Sequence, residues 1–363
     1  MGNKELLIYS PTSISAPGET IKELIEELGM NQIEFSDRLG LHKKTVNEII
    51  KGKAPITSET ALLLEKVLNV PATFWNNREQ KYREYLARKE EYKKLEVETK
   101  WLKKLPLKQM IDYKWINKKV DKVDQLIEVL SFYGVASTYE WKKLWLEPHA
   151  SYRISLASAN YPEAISAWLR YGEVQAKQHL HIPYNESLFR KNLVQIKKLI
   201  LSEEDCKNKL KELCLEAGVI LVCTPILPKA KISGAVRWVG NNPILQLSNR
   251  YKYHDRFWFT FFHEAGHILL HGKKDYFVEG VDQIKSTNVK EKEADEFASE
   301  MLVPEISYQQ FKQMNQFDEE SIKTFAAEMK IHPGIIVGRL QHEKILKYYQ
   351  LKELQKKFEI EMD

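Results

Sequence analysis

Apolar residues recur at helical spacing along most of this chain and give way to strand-like runs only between residues 218 and 248. Near the N-terminal end, Ile21, Leu24, Ile25 and Leu28 make one stripe, which predicts a helix over residues 17–30 with all four inward and Gly29 closing it. Asn31, with Glu34 three residues on, reads as a capping box opening a helix that reaches Leu39. Gly40-Leu41 makes a tight turn, and His42–Ile50 follows as a second short helix with Val46, Ile49 and Ile50 toward the core. Pro55–Leu68 and Pro71–Trp75 continue this block. Arg83–Lys104, dense in Lys and Glu around Tyr85, Leu86, Tyr92, Leu95 and Trp101, reads as a long solvated connecting helix.

Residues 105–200 carry further helical patterns with many aromatics, among them Trp115, Tyr133, Trp141, Trp145 and Trp168. A packed core is the expectation there rather than a ligand pocket. Strands follow at Gly218–Thr224, Gly234–Val239 and Pro243–Ser248. An apolar helix spans Asp255–Gly272, and Ala294, Phe297, Ala298, Met301 and Leu302 mark an amphipathic one that stops before Pro304. Glu319–Met329 and Pro333–Gln341 are helical again, as a lid over a substrate or a structural cap. The fold class is therefore mainly α with a small α+β domain whose short sheet precedes the Asp255–Gly272 helix.

Composition narrows the setting. A chain of 363 residues exceeds a usual single core, so two or three domains are expected. Its 43% hydrophobic and 29% charged residues are ordinary for a soluble protein, and no apolar run is long enough to span a bilayer. The first residues hold no apolar signal core, and Leu6 breaks the myristoylation pattern. Cys206, Cys214 and Cys223 are spaced too widely for a zinc knuckle and read as reduced core thiols of a cytoplasmic protein. A net charge of +5 permits nucleic-acid binding without indicating it.

The chemistry concentrates at two places. His263-Glu264-Ala-Gly-His267 puts two imidazoles at i and i+4 on one helix face, where both reach a single cation, with Glu264 beside them as a base toward water. A catalytic zinc takes three protein ligands, and the next helix offers Glu291 as the third. Asp295, one turn on, is placed to accept the N–H of a ligating histidine. Glu293 competes with Glu291 for the ligand role. His271 is read as a helix C-terminal residue facing the dipole. Tyr276, Arg237 and Arg250 are candidates for stabilising an oxyanion.

The second place is the turn around Gly40. The helix after it opens with His42, Lys43, Lys44 and Thr45 and carries Asn47, residue types that contact base edges, while Lys51 and Lys53 just beyond can clamp phosphate.

These residues carry two resemblances. Ile232–Trp238, Pro243–Arg250, the His-Glu helix and Glu291-Lys-Glu-Ala-Asp-Glu-Phe-Ala with Leu-Val-Pro304 resemble, in order, the ImmA/IrrE family of metallo-endopeptidases over about residues 210–305. That likeness implies a zincin-like fold, Zn2+ held by His263, His267 and Glu291 (favouring Glu291 over Glu293), Glu264 as general base, and cleavage of a protein, often a transcriptional repressor. Residues 16–80 resemble the XRE class of helix-turn-helix regulators in its HigA antitoxin branch, which implies a five-helix domain binding a palindromic DNA operator as a homodimer. Tyr152-Arg153 and Trp168–Glu173 look like elements of longer HigA-like proteins with a fused peptidase.

Five segments are thus expected: a helix-turn-helix domain at 1–80, a connecting helix at 81–104, a helical module at 105–205, a metallopeptidase domain at 206–310 and a helical extension at 311–363. Two functions fit them. One is a DNA-bound regulator whose zinc endopeptidase cleaves a regulatory protein or itself. The other is a HigA-type antitoxin and autorepressor that binds a toxin or ligand through a zinc fold without proteolysis. The intact Glu264 favours the first, because a binding module needs no general base.

Overall fold

The computed structural model describes residues 13–147, 160–202, 206–230, 232–250, 252–271, 277–278, 287–358 and 362. The chain divides into two compact units, Met1–Glu98 and Thr99–Asp363. In the first, α1 (Pro17–Glu27), α2 (Gln32–Leu39), α3 (Lys43–Ile50), α4 (Ser58–Leu68) and α5 (Ala72–Glu98) close over Ile21, Ile25, Phe35, Leu39, Val46, Ile49, Leu64 and Trp75. Asn31 caps α2 as expected, accepting the N–H groups of Ile33 and Glu34 at 3.0 Å. The reciprocal half of the capping box does not form. Glu34 turns instead to Arg38 at 2.7 Å, where the guanidinium at i+4 offers charged donors.

Leu28 departs from the expected stripe and is 54% exposed, because α1 ends at Glu27 and Leu28 caps it. The fifth helix and the connecting helix are one rod of 27 residues. No Gly or Pro interrupts it, Glu84–Arg88 and Glu90–Lys94 ion pairs at i,i+4 support its wetted face, and a Glu79–Arg83 pair forms on its buried side.

The second unit is built around a sheet. Ahead of it come α6 (Leu107–Asp112), α7 (Lys122–Tyr133), α8 (Thr138–Trp145), α9 (Pro162–Ala176), α10 (Glu186–Lys198) and α11 (Cys206–Glu216). β1 (Ile220–Thr224), β2 (Gly234–Val239), β3 (Asn242–Ser248) and, after α12 (His254–Leu270), β4 (Phe277–Val278) form the sheet in the order β1-β3-β2-β4. β1 runs parallel to β3, and β2 is antiparallel to both β3 and β4. The three expected strands are present; the two-residue β4 was not anticipated. α13 (Thr287–Leu302), α14 (Glu305–Gln313), α15 (Glu319–Glu328) and α16 (Pro333–His342) follow.

Alternation along the strands sorts the two faces. Leu221, Cys223, Val236, Trp238, Leu245 and Leu247 join the core shared with α12, and α10, α11 and α14–α16 pack into that same core. Residues 311–342 are therefore part of the fold that carries the His-Glu helix rather than an appendage. Ile220, Val222 and Ile244 pack on the opposite side with Ala176 of α9. The tryptophans ahead of the sheet, with Tyr133 and Tyr171, are core as expected, while Tyr113, Tyr139 and Tyr161 are exposed: Trp101 lies 5.0 Å from Trp141, and Trp115 stacks on Tyr171 at 4.3 Å.

Buried polar groups tie α9 to the sheet. Gln246 donates to the Trp168 carbonyl at 2.7 Å and to Thr224 Oγ1 at 2.8 Å. Arg237 donates to the Leu169 carbonyl and to Gln246 and lies 3.7 Å from Glu173, which also pairs with Arg170 at 2.7 Å. Arg237 and Glu173 are both about nineteen-twentieths buried, so losing Arg237 leaves the Glu173 charge to Arg170 alone and removes the tie between α9 and β2. Arg237→Leu is expected to lower stability by roughly 3 kcal/mol in urea unfolding followed by tryptophan fluorescence. A midpoint equal to the parent's would show that this pair does not hold α9 on the sheet.

Candidate functional site

The site grows from two helices that touch. α12 begins with Asp255 in its first turn, where an acid suits the helix dipole, and buries Phe257, Trp258, Phe261, Phe262, Ala265 and Ile268. That leaves His263 and His267 on the flank facing α13, where Ala294 and Ala298 are fully buried. His263 Nε2 and His267 Nε2 stand 3.0 Å apart, and Glu291 Oε2 reaches them at 3.2 and 3.6 Å. One donor atom from each of the three residues falls within a 4.8 Å cluster. Ligand atoms about 2.0–2.2 Å from a tetrahedral cation stand roughly 3.3–3.5 Å from one another. Two imidazoles and a carboxylate at these separations fit a zinc-sized divalent ion.

Charge follows the geometry. Burial alone would lower the His263 pKa, but its hydrogen bonds to Asp295 and Glu291 and the nearby Glu264 charge outweigh this and raise it to about 10. Burial lowers His267 to about 4, with the His263 charge adding to the effect against the Glu291 hydrogen bond. Burial works against ionisation of Glu291 too, yet its hydrogen bonds to the two histidines hold it at about 2. The two rings are thus pushed apart in basicity, next to a carboxylate that stays ionised.

Both histidines are held from behind. His263 Nδ1 lies 2.8 Å from Asp295 Oδ1, the contact expected from the i,i+4 spacing of Glu291 and Asp295. His267 Nδ1 lies 2.9 Å from His271 Nδ1, and His271 Nε2 lies 2.9 Å from Glu293 Oε2. Sequence reasoning missed both roles. It left His271 at the helix end, where its backbone N–H does meet the His267 carbonyl at 3.2 Å, and weighed Glu293 only as a ligand. The signal was present in the second i,i+4 histidine spacing, His267 to His271.

Glu264 is fully buried on the side toward β2, where a Cβ on Gly234 would collide with its Oε1. The carboxylate keeps this position only while residue 234 carries no side chain. Of the candidates for an oxyanion donor, Arg237 lies on the α9 face of the sheet, turned away by strand alternation and engaged in the buried pair. Arg250 stands near the site, its NH1 3.5 Å from Ser233 Oγ, next to Gly234. Tyr276 lies outside the described residues, as do Tyr152 and Arg153.

In the N-terminal unit, Lys43, Lys44, Thr45, Lys51 and Lys53 are exposed and Asn47 is half-buried, while Val46 and Ile49 point inward and Ile50 is only partly covered. His42 is not the first residue of the helix but its cap, its Nδ1 accepting the Lys44 N–H at 3.2 Å. Gly40, at φ 67°, ends α2 in the left-handed region and makes the turn between the two helices.

Residues 21–75 match the family model for the helix-turn-helix, and residues 217–341 match that for the IrrE N-terminal-like domain. The chain joins a helix-turn-helix domain to an IrrE-like, peptidase-like domain. The IrrE-like match runs to residue 341, beyond the 305 expected from the sequence blocks and in keeping with the packing of α14–α16 into the α12 core.

Two solved structures are similar to about a fifth of the chain. One is a putative antidote protein of a plasmid maintenance system from Nostoc punctiforme, at 33% identity over 22% of this chain and 92% of that one, TM-score 0.21. The other is an addiction module antidote protein of a HigA family from Coxiella burnetii, at 32% identity over 23% of this chain and 92% of that one, TM-score 0.21. No curated protein matches the chain. Among the described residues, no helix is long and apolar enough to cross a membrane.

Elemental analysis of the purified IrrE-like chain is expected to return about one zinc per molecule and only a small fraction of that for His263→Ala. Full zinc in the variant would remove His263 from the ligand set.

Proposed function

We propose that this protein is a DNA-binding transcription regulator whose IrrE-like domain is a zinc-dependent endopeptidase that cleaves a regulatory protein, itself included. The observation that carries the reading is the fully buried Glu264, pressed between the histidine pair on its own helix and the glycine it requires on β2. A binding-only metal centre has no use for a buried carboxylate held there.

His263, His267 and Glu291 are the residues that would hold the zinc ion, which when bound supplies Lewis acidity toward water and the scissile carbonyl. Glu264 then acts as general base: it takes a proton from the attacking water and passes it to the leaving amine nitrogen as the C–N bond breaks. Burial around His263 and His267 limits bulk water and strengthens the electrostatic interactions that orient them. Asp295 keeps the His263 Nε2 turned toward the cluster. Arg250 is the remaining described candidate for stabilising negative charge on the carbonyl oxygen.

The other end of the chain supplies location. Lys43, Lys44, Thr45 and Asn47 lie along the exposed start of α3, where such a helix meets base edges, and His42 caps it with its own side chain near the same surface. Lys51 and Lys53 just past the helix are placed for phosphate. A second copy of the chain would supply the other half of a palindromic operator. The regulator works in the cytoplasm, where the DNA and the protein substrate are.

Glu264→Gln keeps the shape and the zinc but removes the base, so a cleavage product seen by N-terminal mass spectrometry in cells expressing the parent should disappear, with a rate loss on the order of 100-fold or more. Gly234→Ala should act alike by displacing Glu264 while zinc stays bound. Products that persist at the parent's level in both variants would show that the centre binds rather than cuts. Separately, Lys43→Ala with Asn47→Ala is expected to weaken operator binding and flatten its salt dependence by about one unit of slope; an unchanged titration across salt would take α3 out of the DNA contact.

A further inference from the structure

We propose that His271 and Glu293 form a two-step relay that sets the tautomer and orientation of His267, so that α13 governs both histidines of the metal centre. The inference rests on the reading of His263, His267 and Glu291 as a cation site, and adds two positioning residues to it.

The contacts admit one consistent proton arrangement for neutral rings. A carboxylate only accepts, so Glu293 Oε2 at 2.9 Å takes the N–H of His271 Nε2. In a neutral imidazole the other nitrogen is then an acceptor, so His271 Nδ1 can only accept the N–H of its neighbour 2.9 Å away, His267 Nδ1. His267 is left with its hydrogen on Nδ1 and a bare lone pair on Nε2. That is the nitrogen facing His263 Nε2 and Glu291 Oε2. Both ring nitrogens of His271 are engaged by these contacts, and His271 is absent from the three-residue donor cluster. It is therefore not a fourth ligand.

Helix geometry explains why one histidine needs an intermediary and the other does not. Glu291 and Asp295 are one turn apart on α13, so both face α12, and Asp295 touches His263 directly. Glu293 lies between them in sequence and about 160° around the helix from Asp295, out of direct reach of His267. His271, buried at the C-terminal end of α12, spans that gap. Three acids of one helix turn thus act on the centre: one as ligand, one through direct contact and one through His271.

The test is zinc affinity, read by competition with a chromophoric chelator, in the full chain. Removing a group that orients a metal-binding histidine typically weakens metal binding about 10–100-fold. Glu293→Ala, at a half-exposed position, and His271→Leu should each weaken zinc within that range. His271→Gln, whose amide can accept from His267 and donate to Glu293, should retain affinity within a few-fold of the parent. Parent-like affinity in Glu293→Ala overturns the relay, as does a His271→Gln variant as weak as His271→Leu. If His271→Leu fails to fold, Glu293→Ala and His271→Gln decide between the same outcomes. A parent chain that binds no zinc fails the cation-site reading instead, and is told apart because no variant can then differ from it.

Discussion

The close approach of α12 and α13 is the constraint on which the centre depends. Gly266 on α12 lies against Ala294 of α13, and Ala294 and Ala298 are both fully buried along the seam. Small residues let the two backbones come near enough for side chains of modest reach to meet. Only then can Glu291 stand within 3.6 Å of both histidines while Asp295 supports one of them from behind. A larger residue at the seam would push apart two sets of groups whose spacing has to match one ion.

The sheet provides the other wall. β2 presents Gly234 to Glu264 on one face and Arg237 to α9 on the other, so a single strand is gripped from both sides. The buried Arg237–Glu173 pair and the amide of Gln246 lock α9 to the sheet, and the strand held in this way backs the carboxylate of Glu264. In this sense residues far from the histidines fix the floor on which Glu264 rests. The same arrangement explains why Arg237 has a structural role: adjacent strand positions differ by a face, so Arg237, three residues beyond Gly234, points opposite to it.

The acid placement on α13 shows how little sequence distance separates different jobs. Glu291, Glu293 and Asp295 share charge and, in a charged stretch, look interchangeable. Rotation around the helix sends two of them to α12 directly and the third to His271. His263 and His267, identical residues one turn apart, are driven in opposite directions: contacts with Asp295 and Glu291 raise the first against its burial, while burial lowers the second.

Local pattern alone determined a good deal: the short helices around Gly40, the three strands between 220 and 248, the two helices carrying His263, His267, Glu291 and Asp295, and the aromatic core ahead of the sheet. These are readable because helix and strand periodicities, caps and i,i+4 spacing act within one or two turns of chain. Tertiary structure decided what depends on distant partners. It merged α5 into one rod, drew α14–α16 into the core of the IrrE-like domain, turned Arg237 away from the site and joined His271 to Glu293 across 22 residues. Spacing specifies which side chains share a face; which group that face meets is fixed only when separate helices and strands pack, and the roles of His271 and Glu293 follow from that meeting.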